Sequence, residues 1–414
     1  MSDDASANAA AEPEPGFAAW ARPWVWPAVL LAALVLRLPP VFFLHEGIDE
    51  RIYLILARQV HDHGLSAYTL HGTEMWATTT RDMYHPALHY HPPAFVLLLV
   101  PLQAWGGPAA CAALCALFGV ALVVALRALA LRRYGLARAN LAATIAALCP
   151  IGGFLAGRIW LDLPVALGVT AALLAWQWAL DRGAAWRFAV AGLAAAIAML
   201  IKLPAVFAAP AFVALGVEAL RRGRTPGIWR GVVLFLAVGA AAGLPWFLWH
   251  KSATGHWVAS WVVNSPTLIE NDPFIKEVVS RPWFYYLVTI PLAAPLYLYT
   301  VRGIGDSIRH DRDALPTVWF GTYLVLMTLL GVGGYGFPLR FMAPGLPGLA
   351  LAAAAARGPW NRRRWIQFSA FAAIGLVTWV LNAWVFRYVD PDTTGVEDVF
   401  PLPQLLMGWY EGRL

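Results

Sequence analysis

Two adjacent acids, Asp49 and Glu50, stand just after the first long apolar segment of the sequence. A carboxylate in this place can act as a general base that takes a proton from a hydroxyl group. Ionisable side chains beside apolar segments often mark a functional site, because they need partners there. The periodicity from Asp49 to His61 is compatible with a helix, so Asp49 could instead cap the first N–H groups of that helix.

Basic residues that could act together with these acids are spread along the chain. Lys202 and Arg340 lie beside apolar segments, whereas Arg58 and His91 lie in the same polar region as the acids. Their N–H groups are donors that suit a phosphate. A simpler alternative for Lys202 and Arg340 is that they extend to lipid headgroups at the membrane surface. Asp162, which precedes Pro164, could likewise only cap a helix.

Histidines are concentrated in the region that follows the acidic pair, where seven of the ten occur between residues 45 and 91. His85 and His89 have a spacing that would place two ligands on one helix face, but Pro86 disfavours a regular helix there. A metal site would need three or four ligands brought together. We therefore predict no certain cofactor, with a divalent metal at His85 and His89 as the lesser alternative.

The composition shows what kind of scaffold must position these residues. Of the 414 residues, 60% are hydrophobic and 13% are charged, and the charged share is about half that of soluble domains. Several apolar segments reach the length of about 18 residues that crosses the hydrocarbon of a bilayer. The net charge of +6 could suggest a nucleic-acid partner, but the basic residues cluster in short loops between apolar segments. We therefore predict a membrane protein that binds no nucleic acid.

The apolar segments predict about eleven membrane-spanning helices, at residues 24–44, 108–131, 139–157, 162–181, 186–201, 203–220, 230–250, 283–301, 315–333, 338–356 and 366–386. Residues 92–106 are shorter and interrupted by Pro101, which is typical of an interfacial or re-entrant helix. If they do not span, the arginine-rich loops all fall on one side, as the positive-inside rule requires. Arg37, inside the first span, is expected to extend to the surface or to pair with an acid such as Glu46.

The predicted organisation is an all-α integral membrane protein with a cytoplasmic tail at residues 1–23, a transmembrane domain at 24–386 and a short external tail at 387–414. Two long loops, 45–107 and 251–282, face outward, and the first contains the interfacial helices. Because the inner loops are short and the outer loops long, we predict that the chemistry takes place at the outer face.

Several short motifs, taken in order, resemble those of one enzyme family. Asp49-Glu50-x-x-Tyr53-x-x-x-Ala57-Arg58 resembles the acidic signature after the first span of GT-C glycosyltransferases, in the branch of protein O-mannosyltransferases and the lipid A aminoarabinose transferase. His91-Pro92-Pro93 is similar to that branch's Lys/His-Pro-Pro segment. Later landmarks are similar as well: Gly157-Arg158-Ile159-Trp160-Leu161-Asp162-Leu163-Pro164, Ile201-Lys202-Leu203-Pro204, Pro282-Trp283-Phe284-Tyr285-Tyr286-Leu287 and Arg340-Phe341-x-x-Pro344.

The resemblance implies a GT-C-like bundle and an enzyme that moves a hexose or pentose from a polyprenyl-phosphate donor to an acceptor hydroxyl on a protein, lipid or glycan. Asp49 would be the base of an inverting single displacement, and Glu50 would orient the acceptor or hold Arg58. The other implied roles are binding of the donor phosphate, by Arg58, His91, Lys202 and Arg340, and support of the site, by Tyr53, Tyr84 and Asp162. His91 stands where the aminoarabinose enzyme has a lysine.

Two other classes of function fit a multi-spanning chain. A transporter or flippase of a lipid-linked or polar substrate would show broken helices that meet near the middle of the membrane. A non-catalytic assembly subunit would not depend on Asp49. The charged residues instead gather at the ends of the apolar segments, which favours catalysis at the outer surface of a bacterial inner membrane.

Overall fold

The computed structural model describes residues 17–44, 47–69, 91–223, 227–257, 281–309, 313–334, 336–356, 360–381 and 409. Nearly all of these residues lie in helices. Apolar helices suit a bilayer because each backbone N–H and C=O group is satisfied within its own segment, where no water is available.

Fifteen helices, α1 to α15, follow one another in the described residues: Val25–Val35, Pro39–Phe42, Ile48–His63, Ala94–Tyr134, Leu136–Ala147, Pro150–Ala156, Asp162–Arg182, Ala185–Ile201, Ala209–Arg221, Ile228–Thr254, Tyr285–Ala293, Thr300–Arg309, Leu315–Val332, Leu346–Ala355 and Arg362–Val380. Short 3₁₀ turns join some of them, including Leu203–Ala208, Pro295–Tyr299 and Leu339–Met342.

Among the described helices, five are long and apolar enough to cross a membrane, or up to seven if each of two bent pairs counts as one span. The chain is a multi-pass, all-helical membrane protein, but the predicted number of eleven spans is not confirmed. One reason is that two predicted spans are interrupted by bends. The segment from α5 to α6 bends by 58°, and the segment from Tyr285 to Arg309 bends by 110°. Pro150 and Pro295 lie at these breaks, where proline removes a helical N–H donor.

The longest helix, α4, contains a break at Gly107, whose φ of 62° and ψ of −154° are not helical. A side chain at a positive φ is strained, so glycine suits this position. Pro108 follows directly and disfavours helical geometry in the residue before it. The break separates residues 94–106 from 108–134, which is where the sequence analysis placed the boundary between an interfacial stretch and a span.

Arg37 does not extend to the surface and is a structural residue of the bundle. Its side chain is 2% exposed, and its guanidinium donates hydrogen bonds of 3.1 Å to the carbonyl oxygens of Ala33, Ala146 and Ala147. The carbonyl of Ala146 is free to accept because its helical partner would be the N–H that Pro150 lacks. A Cβ on Gly119 would lie 2.7 Å from the Arg37 side chain, so this arginine requires a glycine beside it.

A second set of buried charges lies at the far end of α7 from Asp162. Arg133 donates to Glu218 at 2.6 Å, to Asp313 at 2.7 Å and to Gln177 at 2.6 Å. These contacts join the ends of α4 and α9, the C-terminal part of α7 and the segment before α13. The Arg133 side chain is 5% exposed and that of Asp313 is 4% exposed, so removal of Arg133 would leave the buried carboxylate of Asp313 without this cation.

Replacing Arg133 by methionine should therefore destabilise the protein strongly. Removing one partner of a buried ion pair costs about 3–5 kcal/mol, and we expect a clear drop in melting temperature in detergent. Arg132→Gln is the control, because Arg132 is 38% exposed and its contact with Asp181 is longer, at 3.5 Å. Such an exposed ion pair contributes about 0–1 kcal/mol to the free energy of unfolding. Equal losses in the two variants would contradict this account.

Candidate active site

Three ion pairs meet where the ends of several helices come together. Asp49 contacts Arg340 at 2.8 Å, Asp162 contacts Lys202 at 2.8 Å, and Glu50 contacts Arg158. The residues come from four separate stretches of sequence, so the group exists only in the folded chain. It combines three carboxylates with three cations, a set that can handle both a proton and an anionic ligand.

Local structure explains how each acid is presented. Asp49 and Glu50 lie in the first turn of α3, and Asp162 is the first residue of α7. Negative charge is favourable at a helix N-terminus, because the backbone N–H groups there carry partial positive charge. The interpretation of Asp49 or Asp162 as an N-terminal cap is not what the structure shows: the capping positions are Gly47 and Leu161, and neither makes a side-chain cap.

The cations come from bends in the chain. Lys202 follows the last residue of α8 in an extended conformation, with φ −154° and ψ 128°. Arg340 lies in the 3₁₀ turn Leu339–Met342, which begins after Pro338. Arg158 lies in the connection between α6 and α7. All three are buried, so Lys202 and Arg340 do not extend to the surface of the protein.

The three acids differ in accessibility, and the difference bears on their roles. The side chain of Asp49 is 14% exposed, whereas those of Glu50 and Asp162 are 0% and 2% exposed. A general base must come within hydrogen-bonding reach of the proton that it abstracts. Of these three acids, Asp49 is therefore the best placed to meet an incoming hydroxyl.

Glu50 is enclosed by protein. Its Oε1 atom accepts from Arg158, and its Oε2 atom has no hydrogen-bond partner in the described residues. Burial raises the pKa of Glu50 above its usual range, and the charge of Arg158 acts in the opposite direction. Its position suits a residue that fixes Arg158 and the start of α3.

Arg58 is not brought to the cluster. It is exposed on α3 and lies about 180° around the helix from Asp49, since each residue advances the helix by about 100°. The expectation that Glu50 holds Arg58 is also not met: a separation of eight residues corresponds to about 12 Å along the helix, and Glu50 pairs with Arg158 instead.

Lys202 combines burial with a close acid. Burial lowers the pKa of Lys202, and the carboxylate of Asp162 acts in the opposite direction to favour the charged amine. Arg340 and Asp49 are also close enough to influence it electrostatically. Lys202 thus belongs to the same charge cluster as the acidic pair, although about 150 residues separate them in sequence.

Tyr53 and His91 form one wall beside these charges. Tyr53 is 3% exposed, and its ring lies 5.5 Å from Phe95 and 6.4 Å from His91, centroid to centroid. Tyr68 donates to the carbonyl of His91 at 2.8 Å. Desolvation lowers the pKa of His91 well below its usual range, with a further contribution from Lys202. His91 is therefore a neutral imidazole near pH 7, able to donate one N–H.

The remaining candidates of the sequence analysis lie outside the described residues. These are Tyr84, His85 and His89. Within the part of the chain that the structure describes, no three His, Cys, Asp or Glu side chains form a group that could hold a metal ion.

Two residues of the site were not assigned a role from the sequence. Arg158 pairs with Glu50, and the guanidinium carbon of Arg158 lies 4.3 Å from the centroid of the Trp160 ring. Both belong to the motif Gly157–Pro164, in which only Asp162 was selected. The sequence did contain a signal for Arg158, because an arginine within an apolar stretch needs a buried partner.

An apolar cavity of about 720 Å³ is enclosed by α7 to α10 and the turn between α8 and α9. Ala198 and Ala205, on either side of Lys202 in sequence, line one part of it, and Ile228 and Trp229 line another. Its walls come from α7 to α10, and every lining residue is apolar or glycine. The cavity is therefore suited to a hydrocarbon chain.

Several solved structures share the fold of this chain. ArnT from Cupriavidus metallidurans bound to undecaprenyl phosphate is 18% identical, with a TM-score of 0.60 over 94% of this chain and 75% of that one. The archaeal oligosaccharyltransferase AglB from Archaeoglobus fulgidus, in complex with an inhibitory peptide and a dolichol-phosphate, is 12% identical, with a TM-score of 0.53 over 94% of this chain and 59% of that one.

A third structure, the Archaeoglobus fulgidus oligosaccharyltransferase tethered to an acceptor peptide, is 14% identical with a TM-score of 0.52, over 91% of this chain and 56% of that one. No protein-family model and no curated protein matches the sequence. The fold of this chain is therefore GT-C-like, as in these structures. The predicted fold class is confirmed, while identities this low show the fold alone.

The neutral state of His91 leads to a pH prediction. In the unfolded chain His91 titrates near pH 6.5, and in the folded protein it titrates lower. The unfolded state then binds the extra proton, so His91 contributes a loss of stability as the pH falls below about 6.5. The melting temperature of His91→Gln should fall less than that of wild type between about pH 7.5 and about pH 5.5.

The control for this measurement is His63→Gln, because His63 is an exposed histidine in the last turn of α3. Identical pH dependence in wild type and His91→Gln would show that the His91 ring is not held in its neutral form.

Proposed function

We propose that this protein is a membrane glycosyltransferase that transfers a sugar from a polyprenyl-phosphate donor to an acceptor hydroxyl. The observation that carries the proposal is the cluster in which Asp49 is the most accessible acid among three buried cations. The GT-C fold supports it, and so do the ligands in two of the similar structures, undecaprenyl phosphate and dolichol-phosphate.

The reaction is a single displacement at the anomeric carbon. Asp49 accepts the proton of the acceptor hydroxyl, whose oxygen forms a bond to the anomeric carbon. The bond from that carbon to the phosphate oxygen breaks, and the polyprenyl phosphate leaves with the bonding electron pair. Attack opposite to the leaving group inverts the anomeric centre.

The leaving phosphate needs positive charge and N–H donors, because negative charge develops on it in the transition state. Lys202 and Arg340 provide two cations, and the neutral His91 provides an N–H group. Arg340 also contacts Asp49 at 2.8 Å, so one guanidinium adjoins both the base and the proposed phosphate position. Burial strengthens these interactions, since the local dielectric is lower than that of water.

The apolar cavity enclosed by α7 to α10 is suited to the lipid part of the donor. Its lining is apolar or glycine throughout, and it passes Ala198 and Ala205, which flank Lys202 in sequence. An isoprenoid tail in the cavity would place its phosphate near the Lys202 ammonium. This arrangement argues for a lipid-linked donor over a free nucleotide sugar.

Sidedness follows from the distribution of arginines. The arginine-rich loops before α5, after α9 and before α15 belong to the side opposite the charged cluster. The positive-inside rule supports the proposal that the cluster faces the external side. We propose that the membrane is a bacterial inner membrane. The donor sugar is a hexose or a pentose, and the acceptor is a protein, lipid or glycan.

Sidedness can be measured by cysteine labelling in intact cells. A membrane-impermeant maleimide should label Leu102→Cys from outside and should label Leu136→Cys only after the membrane is opened. The three native cysteines are buried, so background labelling should be low. Labelling of position 136 from outside would reverse the assigned orientation.

The base can be tested by Asp49→Asn, which keeps the size of the side chain but cannot accept the proton. Loss of general-base catalysis costs about 10²–10⁴-fold in rate, and we expect kcat to fall within that range. The assay uses purified protein and synthetic polyprenyl-phosphate donors carrying mannose, glucose, arabinose or aminoarabinose, with bacterial membranes as the acceptor source.

The matched control is Asp62→Asn, an exposed acid on the same helix, which should retain wild-type activity. If Asp49→Asn turned over at the wild-type rate, Asp49 would not be the base. A protein that moves intact donor across vesicles without transferring sugar would instead be a flippase.

A further inference from the structure

Two aromatic rings alternate with the three cations of the site. The guanidinium carbons of Arg158 and Arg340 lie 4.3 Å and 4.1 Å from the centroid of the Trp160 ring. Arg340 also lies 5.6 Å from the centroid of Phe341, and the Lys202 Nζ atom lies 4.1 Å from it. We call this series, Arg158–Trp160–Arg340–Phe341–Lys202, the cation–aromatic ladder.

The cation–aromatic ladder offsets part of the repulsion among the three cations, in addition to their pairing with acids. Three cations held close together repel one another, and a low-dielectric environment strengthens that repulsion. The face of an aromatic ring attracts a cation through its quadrupole, most strongly for tryptophan and in desolvated sites. A ring in contact with two cations therefore attracts both, and it adds no negative charge that would repel a phosphate.

Trp160 is the centre of this arrangement. It is 2% exposed, and its Nε1–H has no hydrogen-bond partner in the described part of the chain. A buried indole usually finds a partner for that group. Hydrogen bonding therefore does not explain the ring at this position. The ring packs edge to face with Phe154, at 5.8 Å between centroids, and it contacts both guanidinium groups.

The two arginines on Trp160 are also the partners of the adjacent acids. Arg340 contacts Asp49, and Arg158 contacts Glu50. One indole thus sets the position of both ion pairs at the start of α3. Phe341 continues the series towards Lys202 and is itself stacked on Phe337 at 4.7 Å, centroid to centroid.

We propose that Trp160 is a positioning residue. Through its contacts with Arg340 and Arg158, it fixes the positions of the proposed base and of the proposed phosphate-binding cations relative to each other. Phe341 has the same role between Arg340 and Lys202. This inference rests on the proposed glycosyl transfer. It assigns a role in the site to two aromatic residues that do not take part in the chemical step.

The test compares Trp160→Leu with Trp160→Phe. Leucine removes the aromatic face, so kcat should fall about tenfold or more, with a smaller change in the KM for the polyprenyl-phosphate donor. Phenylalanine keeps a face and lacks the N–H, so it should restore kcat to within about threefold of wild type. Phe341→Leu should also lower kcat more than it raises KM.

The matched control is Trp20→Leu. Trp20 is 5% exposed and its Nε1–H also lacks a partner in the described residues. Its ring packs against other aromatic rings, with Trp365 stacked at 5.1 Å, and it belongs to neither the charged cluster nor the ladder. This variant should lose stability and keep the wild-type kcat of its folded fraction. Equal kcat losses in Trp160→Leu and Trp160→Phe, or a Trp160→Leu enzyme with wild-type kcat, would overturn the positioning role.

A second measurement does not depend on activity. Melting temperatures of Trp160→Leu, Arg340→Met and the double variant should show non-additive losses, because residues in contact couple. Additive losses would overturn the ladder. Absence of sugar transfer by wild-type protein would refute the proposed function, and the coupling measurement would then decide on its own whether Trp160 positions Arg340.

Discussion

Burial of charge is the constraint on which the rest of this structure depends. An ionised side chain taken from water into a helical membrane protein is costly unless it is paired. Here the described charges at the site are met by opposite charges: Asp49 by Arg340, Glu50 by Arg158 and Asp162 by Lys202. Because the members of each pair come from distant parts of the chain, the pairs join α3, the α6–α7 connection, the end of α8 and the turn at Arg340.

The breaks in the helices also bring buried polar groups to their partners. Pro150 leaves a carbonyl of α5 free, and Arg37 satisfies it from the neighbouring segment. The extended backbone at Lys202 ends α8 where its ammonium meets Asp162. Irregular backbone inside a membrane protein is tolerated where it is enclosed by protein. In this protein the three cations of the site, Arg158, Lys202 and Arg340, lie in such irregular segments.

The similar solved structures share the helical framework of this chain but few of its side chains. Sequence identities of 12–18% accompany TM-scores of 0.52–0.60, so the helical framework is kept while most side chains differ. A bilayer demands apolar helices but accepts many combinations of apolar residues. Short polar motifs at the ends of the apolar segments indicated the same fold from the sequence.

Much was determined by the sequence alone. The apolar segments required an all-helical membrane protein, and the motifs around Asp49, His91, Asp162, Lys202 and Arg340 indicated a GT-C fold, because local composition and order carry that information. The tertiary structure decided which charge meets which: it paired Glu50 with Arg158 and left Arg58 exposed on the far side of α3. It also revealed Trp160 between two arginines. Such contacts depend on helix bends and rotations over long sequence separations, which hydropathy and spacing along the chain do not encode.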